Sequence, residues 1–465
     1  MAVELLPSAR VCLHERGRTS RGESDEETYV MCMDTAHSCS SNGSQLRTFC
    51  GLSSGVVSCI DSTPGRLVVI SSGESTSRRP SVNDVCVLPD AMNIAMSCST
   101  DGWIRLHDFR SSSRGSSSSV GWHVAGEELN AIASCDYGNE FVVACATENG
   151  HVHLLDRRGG SSSNGQGGGR DVAGACVASI LEAHTEPIMD LESYQLSVCG
   201  VTKNVLMSAG VDGLICVFDI TNGLDDNLNN GRLFREEERY LSVMNAQSSV
   251  SSAGCFGDES GHYLYALTHD YSLSIYDWNA NICIGETRFA REDALAASAS
   301  QSKGGGHSLV DYIICCAFDR MTKKLMLASG SSHGDISIFP VDFSESSWEE
   351  EEESMDVDDD DCCGGGPLSI MDTSLSFQAP AAQLRRGHES VVRCINFLPS
   401  NSSFYSESCY DGAESSMLFI SGCEGGQVCL WENKPAIDDS GNHLKTVGGH
   451  YKQRRKHNKI TRRPY

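Results

Sequence analysis

Several things are missing from this 465-residue chain, and each absence narrows what it can be. It has no run of eighteen or more apolar residues, so no segment reads as a membrane-spanning helix. Its opening stretch, MAVELLPSARVCLHERG, lacks the basic start and apolar centre of a secretory signal. Twenty-two cysteines are present, but no two stand in C-x-x-C spacing. Structural zinc motifs use such pairs, and disulfide frameworks need an oxidising compartment. Cysteines scattered through apolar segments (Cys98, Cys145, Cys216, Cys429) read instead as small buried hydrophobes.

Positive charge is scarce as well. Thirty-six Lys and Arg face 62 Asp and Glu, a net charge of −26. Residues 345–361 hold eleven acids and no base, and residues 449–465 hold seven bases and no acid; setting both segments aside leaves −22 on the remainder. A body of that sign repels phosphate backbones, so any nucleic-acid contact falls to the tail. The glycine-rich stretch GGSSSNGQGGGR (159–170) has no Lys-Ser/Thr and follows no strand-to-helix pattern, so it reads as a linker and not a phosphate loop. No convergent acids or metal ligands stand out. The expectation is therefore no catalytic residue, no metal and no cofactor, and a chain that binds proteins and performs no chemistry.

What is present is a repeat. In VLMSAGVDGLICVFDI (205–220) two apolar runs flank a Val-Asp-Gly turn, a hairpin signal. Gly213 is followed five residues later by Phe218 and then Asp219. The same offset recurs at Gly55 (Ile60, Asp61), Gly102 (His107, Asp108), Gly150 (Leu155, Asp156), Tyr271 (Tyr276, Asp277), Gly334 (Phe339, Pro340) and Gly426 (Trp431, Glu432). Units of roughly 40–45 residues with four strands each are the signature of propeller blades, and the longer spacings fall where the chain turns Ser/Gly-rich or acidic.

The reading is an all-β chain: a seven-bladed WD40 β-propeller with disordered inserts and a basic C-terminal tail. Residues 1–27 form a leader holding a candidate ring-closing strand at 10–14. Residues 28–433 form the propeller, with inserts at 111–120, 159–172 and 344–372, and residues 434–465 form the tail.

The wording of the units is similar to one family within that superfamily. TDGWIRLHDFR, HTEPIMDL with SAGVDGLICVFDI, YALTHDYSLSIYDW, DYIICCAFD, GHESVVRCINF with SGCEGGQVCLW, and the terminal YKQRRKH resemble the WD repeat-containing protein 89 family. The resemblance implies a non-enzymatic interaction scaffold, a monomer working within a complex of other proteins. It also implies a buried His–Ser–Asp–Trp hydrogen-bond chain in each blade. Blade four offers His184, Ser208 and Asp212 with Phe218 in place of Trp; blade seven offers His388, Ser421 and Trp431 with Gly425 in place of Asp.

Three outward features are candidates for function. Asp108-Phe109-Arg110 and Asp156-Arg157-Arg158 end consecutive blades in D-x-R, which resembles the double box by which WD40 substrate receptors dock on the adaptor of cullin-4 ubiquitin ligases. Arg110 and Arg158 would present planar multidentate donors there. In the tail, Lys452, Arg454, Arg455, Lys456, Lys459, Arg462 and Arg463 lead to Pro464-Tyr465, which is similar to proline-tyrosine import signals. This reads as a nuclear address, with the cytoplasm as a further location, or as a contact for RNA or an acidic partner. Ser346 and Ser347 each have an acid three residues on and suit an acid-directed kinase.

Overall fold

The computed structural model describes residues 3–13, 28–40, 43–63, 66–72, 80–88, 92–110, 120–135, 142–157, 169–171, 176–198, 201–221, 240–257, 261, 263–299, 310–319, 322–343, 375–398 and 418–432. The chain divides into two units, 1–432 and 433–465; the propeller is the first, and the second lies outside the described residues.

Seven antiparallel sheets follow one another along the chain. Blade one is Val30–Ser40, Gly43–Leu52, Val57–Thr63 and Arg66–Ser72, and blade two is Val82–Val87, Ile94–Ser99, Trp103–Asp108 and Val120–His123. Blade three is Leu129–Ser134, Val142–Thr147, Val152–Asp156 and Cys176–Ile180, and blade four is Ile188–Val198, Val201–Gly210, Leu214–Asp219 and Tyr240–Asn245. Blade five is Val250–Phe256, Tyr263–Thr268, Leu273–Asp277 and Ile282–Thr287, and blade six is Tyr312–Asp319, Lys324–Gly330, Ile336–Asp342 and Ala382–Leu384. Blade seven takes Val392–Leu398, Leu418–Cys423 and Gln427–Glu432 from the end of the ring and Pro7–Cys12 from the start of the chain. Cys12 pairs with Gln427 and Val11 with Val428, so the ring is closed by an antiparallel outer strand. That strand overlaps the stretch 10–14 suggested by sequence and begins three residues before it.

Each hairpin turn between second and third strands needs a left-handed residue. The seven repeat anchors all supply one: Gly55, Gly102, Gly150, Gly213, Gly334 and Gly426 have φ between 66° and 84°, and Tyr271 has φ 64°. Glycine reaches this region without steric cost; tyrosine does not.

The apolar runs are continuous because most strands are covered on both faces. Val142–Thr147 is buried at every position. Buried hydrophobics fall into seven clusters, each between two neighbouring blades, as with Leu206 and Phe218 of blade four against Ala144 and Leu154 of blade three. There is no single central core. Each blade buries its surface only against its neighbours, so closure of the ring matters to all of them.

Closure also leaves the channel-side edge of each inner strand without a ladder partner, a backbone debt that must be met. Side chains from adjacent blades meet it. Asp34 accepts the Val87 N–H at 2.7 Å, Asp84 accepts the Ile132 N–H at 2.9 Å and Asp190 accepts the Ala253 N–H at 3.0 Å. Ser193 donates to the Ser134 carbonyl, and Tyr265 donates to the Cys316 carbonyl at 2.8 Å. The Tyr312 hydroxyl takes the Val392 N–H at 2.8 Å, and Asn396 donates to the Met33 carbonyl at 3.2 Å across the closure. All seven blade junctions are clamped in this way.

Two elements depart from the all-β, linker-separated expectation. Gly169–Asp171, inside the insert 159–172, pairs in parallel with Val120–His123 and extends blade two to five strands; Val120 likewise belongs to a strand and not to the insert 111–120. The open edge of blade two recruits a short extended segment that its composition alone would leave as linker. A ten-residue helix, Ala290–Ala299, follows blade five and buries Ala290 and Ala294 between blades five and six. Every described cysteine is a free thiol, most of them buried.

Candidate functional site

The blade networks form as their residues suggest. In blade four the His184 ring bonds Asp212 through Nδ1 at 2.9 Å and Ser208 through Nε2 at 2.7 Å. Asp212 also accepts the Thr185 and Leu214 N–H groups at 3.0 Å each. Phe218 fills the indole position, fully buried. In blade seven Trp431 Nε1 donates to Ser421 Oγ at 2.7 Å, and His388 Nε2 meets the same oxygen at 2.7 Å. His388 Nδ1 finds only the Cys429 thiol, at 3.9 Å. Burial, together with the charge of Arg10, pushes His388 down to about 3, so it stays neutral. His184, Ser208, His388, Ser421 and Trp431 are all buried inside their blades.

Of the D-x-R boxes, Asp108 and Arg110 are both exposed, and the guanidinium makes a forked ion pair with its own neighbouring carboxylate, Nε to Oδ1 at 2.9 Å and Nη2 to Oδ2 at 2.5 Å. Phe109 packs on Phe49 of blade one. Asp156 ends the third strand of blade three, while Arg158 lies outside the described residues, so the two boxes cannot be compared. Ser346, Ser347 and the tail residues Lys452, Arg454, Arg455, Lys456, Lys459, Arg462, Arg463, Pro464 and Tyr465 also lie outside them.

The structure assembles a site that sequence reading missed. Where the inner strands of blades four, five and six run into their second strands, a cavity of about 660 Å³ opens, with Glu192, Tyr194, Phe256, Tyr265, Phe318 and Lys323 in its wall. Glycine makes the space: a Cβ on Gly254 would stand 2.6 Å from the Tyr265 ring, and one on Gly261 would stand 2.5 Å from Leu196. Phe256 stacks obliquely with Tyr263 and Phe318 at 5.6 and 5.8 Å, an aromatic flank to the opening.

Acids converge on the same interior. Burial pushes the Glu192 carboxyl well above the usual range, and the charges of Asp190, Asp34 and Asp84 push it further. Burial raises Asp84 to about 8 against the hydrogen bonds it accepts from Ile132 and Val85. It raises Asp190 to about 6 and lifts Asp34 as well. Glu192 therefore stands beside the aromatic walls in the field of acids from blades one, two and four. Nothing in the sequence flags them, because Asp34 and Asp84 each stand alone in a strand and Asp190 and Glu192 share a third.

A second cluster lies at the other end of the ring, where Glu127, His151 and His153 of blade three come together. The only local signal for it is the alternation His-Val-His after Gly150.

The fold, the left-handed anchors and the interblade networks together define a seven-bladed β-propeller. The family model described as WD domain, G-beta repeat matches residues 381–432, spanning the outer strand of blade six and the three inner strands of blade seven. The match is confined to that stretch, and the fold over the described residues is a seven-bladed β-propeller. It is similar to the WD repeat-containing protein GTS1 of Arabidopsis thaliana, 25% identical over 368 residues that cover 78% of this chain and 72% of that protein. It is also similar to the WD repeat-containing protein 89 homolog of Dictyostelium discoideum, 27% identical over 159 residues, 34% of this chain and 38% of that protein. Propellers of this class typically serve as non-enzymatic platforms. Among the described residues, no helix is long and apolar enough to cross a membrane.

Proposed function

We propose that this chain is a non-enzymatic platform that binds other proteins, and that its cavity between blades four, five and six takes an extended basic segment of a partner. The observation that carries this reading is the meeting of Glu192, backed by Asp190, Asp34 and Asp84, with the rings of Phe256, Tyr265 and Phe318 around one opening. A Lys or Arg side chain of the partner would lay its aliphatic stem along the rings and bring its charge to Glu192, across the opening that Lys323 also lines.

Selection of a displayed random-peptide library on the full chain tests this. Enriched peptides should be basic, and Glu192→Gln combined with Phe318→Ala should weaken them at least about tenfold. Enrichment of acidic or wholly apolar peptides, or unchanged affinity in the double variant, would overturn it.

Finer readings rest on sequence features. We propose nuclear residence directed by the basic tail, which deletion of residues 450–465 should abolish in a localisation assay. We also propose cullin-4 adaptor docking as the second reading, favoured by the exposure of Arg110; Arg110→Ala with Arg158→Ala should then lose co-purification of the adaptor. RNA association through the tail would show as steep salt dependence that disappears on tail deletion.

A further inference from the structure

Three donors converge on blade three at the end of the ring opposite the cavity. Glu127 comes from the turn before the inner strand, His151 from the turn between second and third strands, and His153 from the third strand itself. His151 Nδ1 lies 3.2 Å from Glu127 Oε1, and His153 Nε2 lies 3.5 Å from the same oxygen. One donor atom from each residue falls within 4.8 Å of the other two. We propose that Glu127, His151 and His153 bind one divalent transition-metal ion of the zinc class.

Two independent observations support the assignment. The first is spacing: ligands held 2.0–2.1 Å from a tetrahedral zinc stand about 3.4 Å apart, and the two nitrogen–oxygen separations lie on either side of that value. The second is an unmet polar atom. His153 is 8% exposed, and its Nε2 makes no hydrogen bond although it is buried and faces the carboxylate. Its other nitrogen is held 2.7 Å from Ser179 Oγ. With the Ser179 oxygen accepting the Nδ1 proton, the Nε2 lone pair is directed at the lone pairs of Glu127, and a cation between them satisfies both.

Blade four shows what an ordinary strut at this end of a blade looks like: His184 there has both ring nitrogens paired, to Asp212 and Ser208. Blade three replaces that chain with three metal-type donors and leaves one of them open. Hydrogen bonds behind the donors would orient them as in metal sites, Thr147 to Glu127 and Ser179 to His153. Two imidazoles and one carboxylate suit zinc among the common ions and leave a fourth position for an exchangeable ligand. His151 is the partly exposed member, with 27% of its side chain accessible, and gives the ion a way in.

The test uses the full chain, stripped with a chelator and titrated with Zn²⁺ and, as a spectroscopic probe, Co²⁺. One ion per chain is expected, with the visible absorption of four-coordinate Co²⁺ and without the thiolate charge-transfer bands that binding to any of the cysteines would give. Glu127→Gln and His151→Asn should each weaken binding at least about tenfold while circular dichroism of the metal-free chain stays unchanged. His151→Asn is decisive, because that residue is at the surface and its replacement leaves the strand packing alone. Absence of stoichiometric binding, thiolate bands in the Co²⁺ spectrum, or equal affinity in both variants would overturn the proposal.

Discussion

Blades four and seven carry the same buried relay with a different link missing in each, and restoring the link in blade seven is a quantitative test of the relay. Gly425 precedes the left-handed Gly426 as Asp212 precedes the left-handed Gly213. Its own φ is not left-handed, so a side chain is tolerated by the backbone. A Cβ there would stand 3.1 Å from Ser390 Oγ and 3.6 Å from Cys423 Sγ, requiring the hydroxyl to move by a few tenths of an ångström. Gly425→Asp would then offer His388 Nδ1 the carboxylate that His184 already has.

A hydrogen bond to a charged acceptor contributes about 1.5–3 kcal/mol, and replacing glycine at a compatible position adds about 0.4–1 kcal/mol through the unfolded chain. Weakening the Gly425 N–H bond to Ser390 and desolvating the carboxylate offset about half of this total, so the net gain is about 1–2 kcal/mol. At roughly 2–4 °C per kcal/mol for a chain somewhat smaller than this one, the midpoint of thermal unfolding should rise by a few degrees. Gly425→Ala is the control, since it carries the chain-entropy gain without the carboxylate. Hydrogen bonds hold Asp212 below the usual carboxylate range despite its burial, and the new acid should behave alike. Its advantage is then complete above the unfolded value near 4 and lost as pH falls through the lower folded value. If Gly425→Asp is no more stable than Gly425→Ala at neutral pH, the relay does not act as described.

Tyr271 occupies a left-handed position that six glycines fill elsewhere, so Tyr271→Gly should be about 1 kcal/mol more stable than Tyr271→Ala in denaturant unfolding; equal midpoints would count against strain at the turn. Asp84 is raised to about 8 by burial, so the folded state holds its proton more tightly than the unfolded chain. That stabilisation is full below about pH 4 and is lost as pH rises toward 8; Asp84→Asn should flatten the fall in urea midpoint between pH 5 and 8, and an unchanged slope would refute it. Removing residues 1–13 takes away the closing strand, the strand Val3–Leu5 that pairs in parallel with Ala382–Leu384 of blade six, and the buried Leu5 and Leu13, at a cost on the order of 5 kcal/mol from apolar burial and ladder bonds together. Scanning calorimetry should then show a lowered and broadened transition; an unchanged one would mean that closure contributes little.

The repeat was legible because its causes are local. A turn needing positive φ demands glycine at one position, and strands covered on both faces demand unbroken apolar runs, so six glycines and one tyrosine mark seven hairpins. The relay residues His184, Ser208, Asp212, His388, Ser421 and Trp431 were legible through the family resemblance; Ser208 and Ser421 stand five residues before their anchors, whereas His184 and His388 stand 29 and 38 before theirs. The sharing of strands among blades was settled only in three dimensions. Each outer strand reads in sequence as the start of the next repeat, and the last is borrowed from residues 7–12, some 415 residues from its partner strand. The meeting of Asp34, Asp84, Asp190 and Glu192, and of Glu127 with His151 and His153, likewise depends on how the sheets are set around an axis and how their turns fold back. Turn chemistry and burial act within a few residues and leave their mark in the order of amino acids; proximity across a closed ring is a property of the closure, and no single stretch of chain records it.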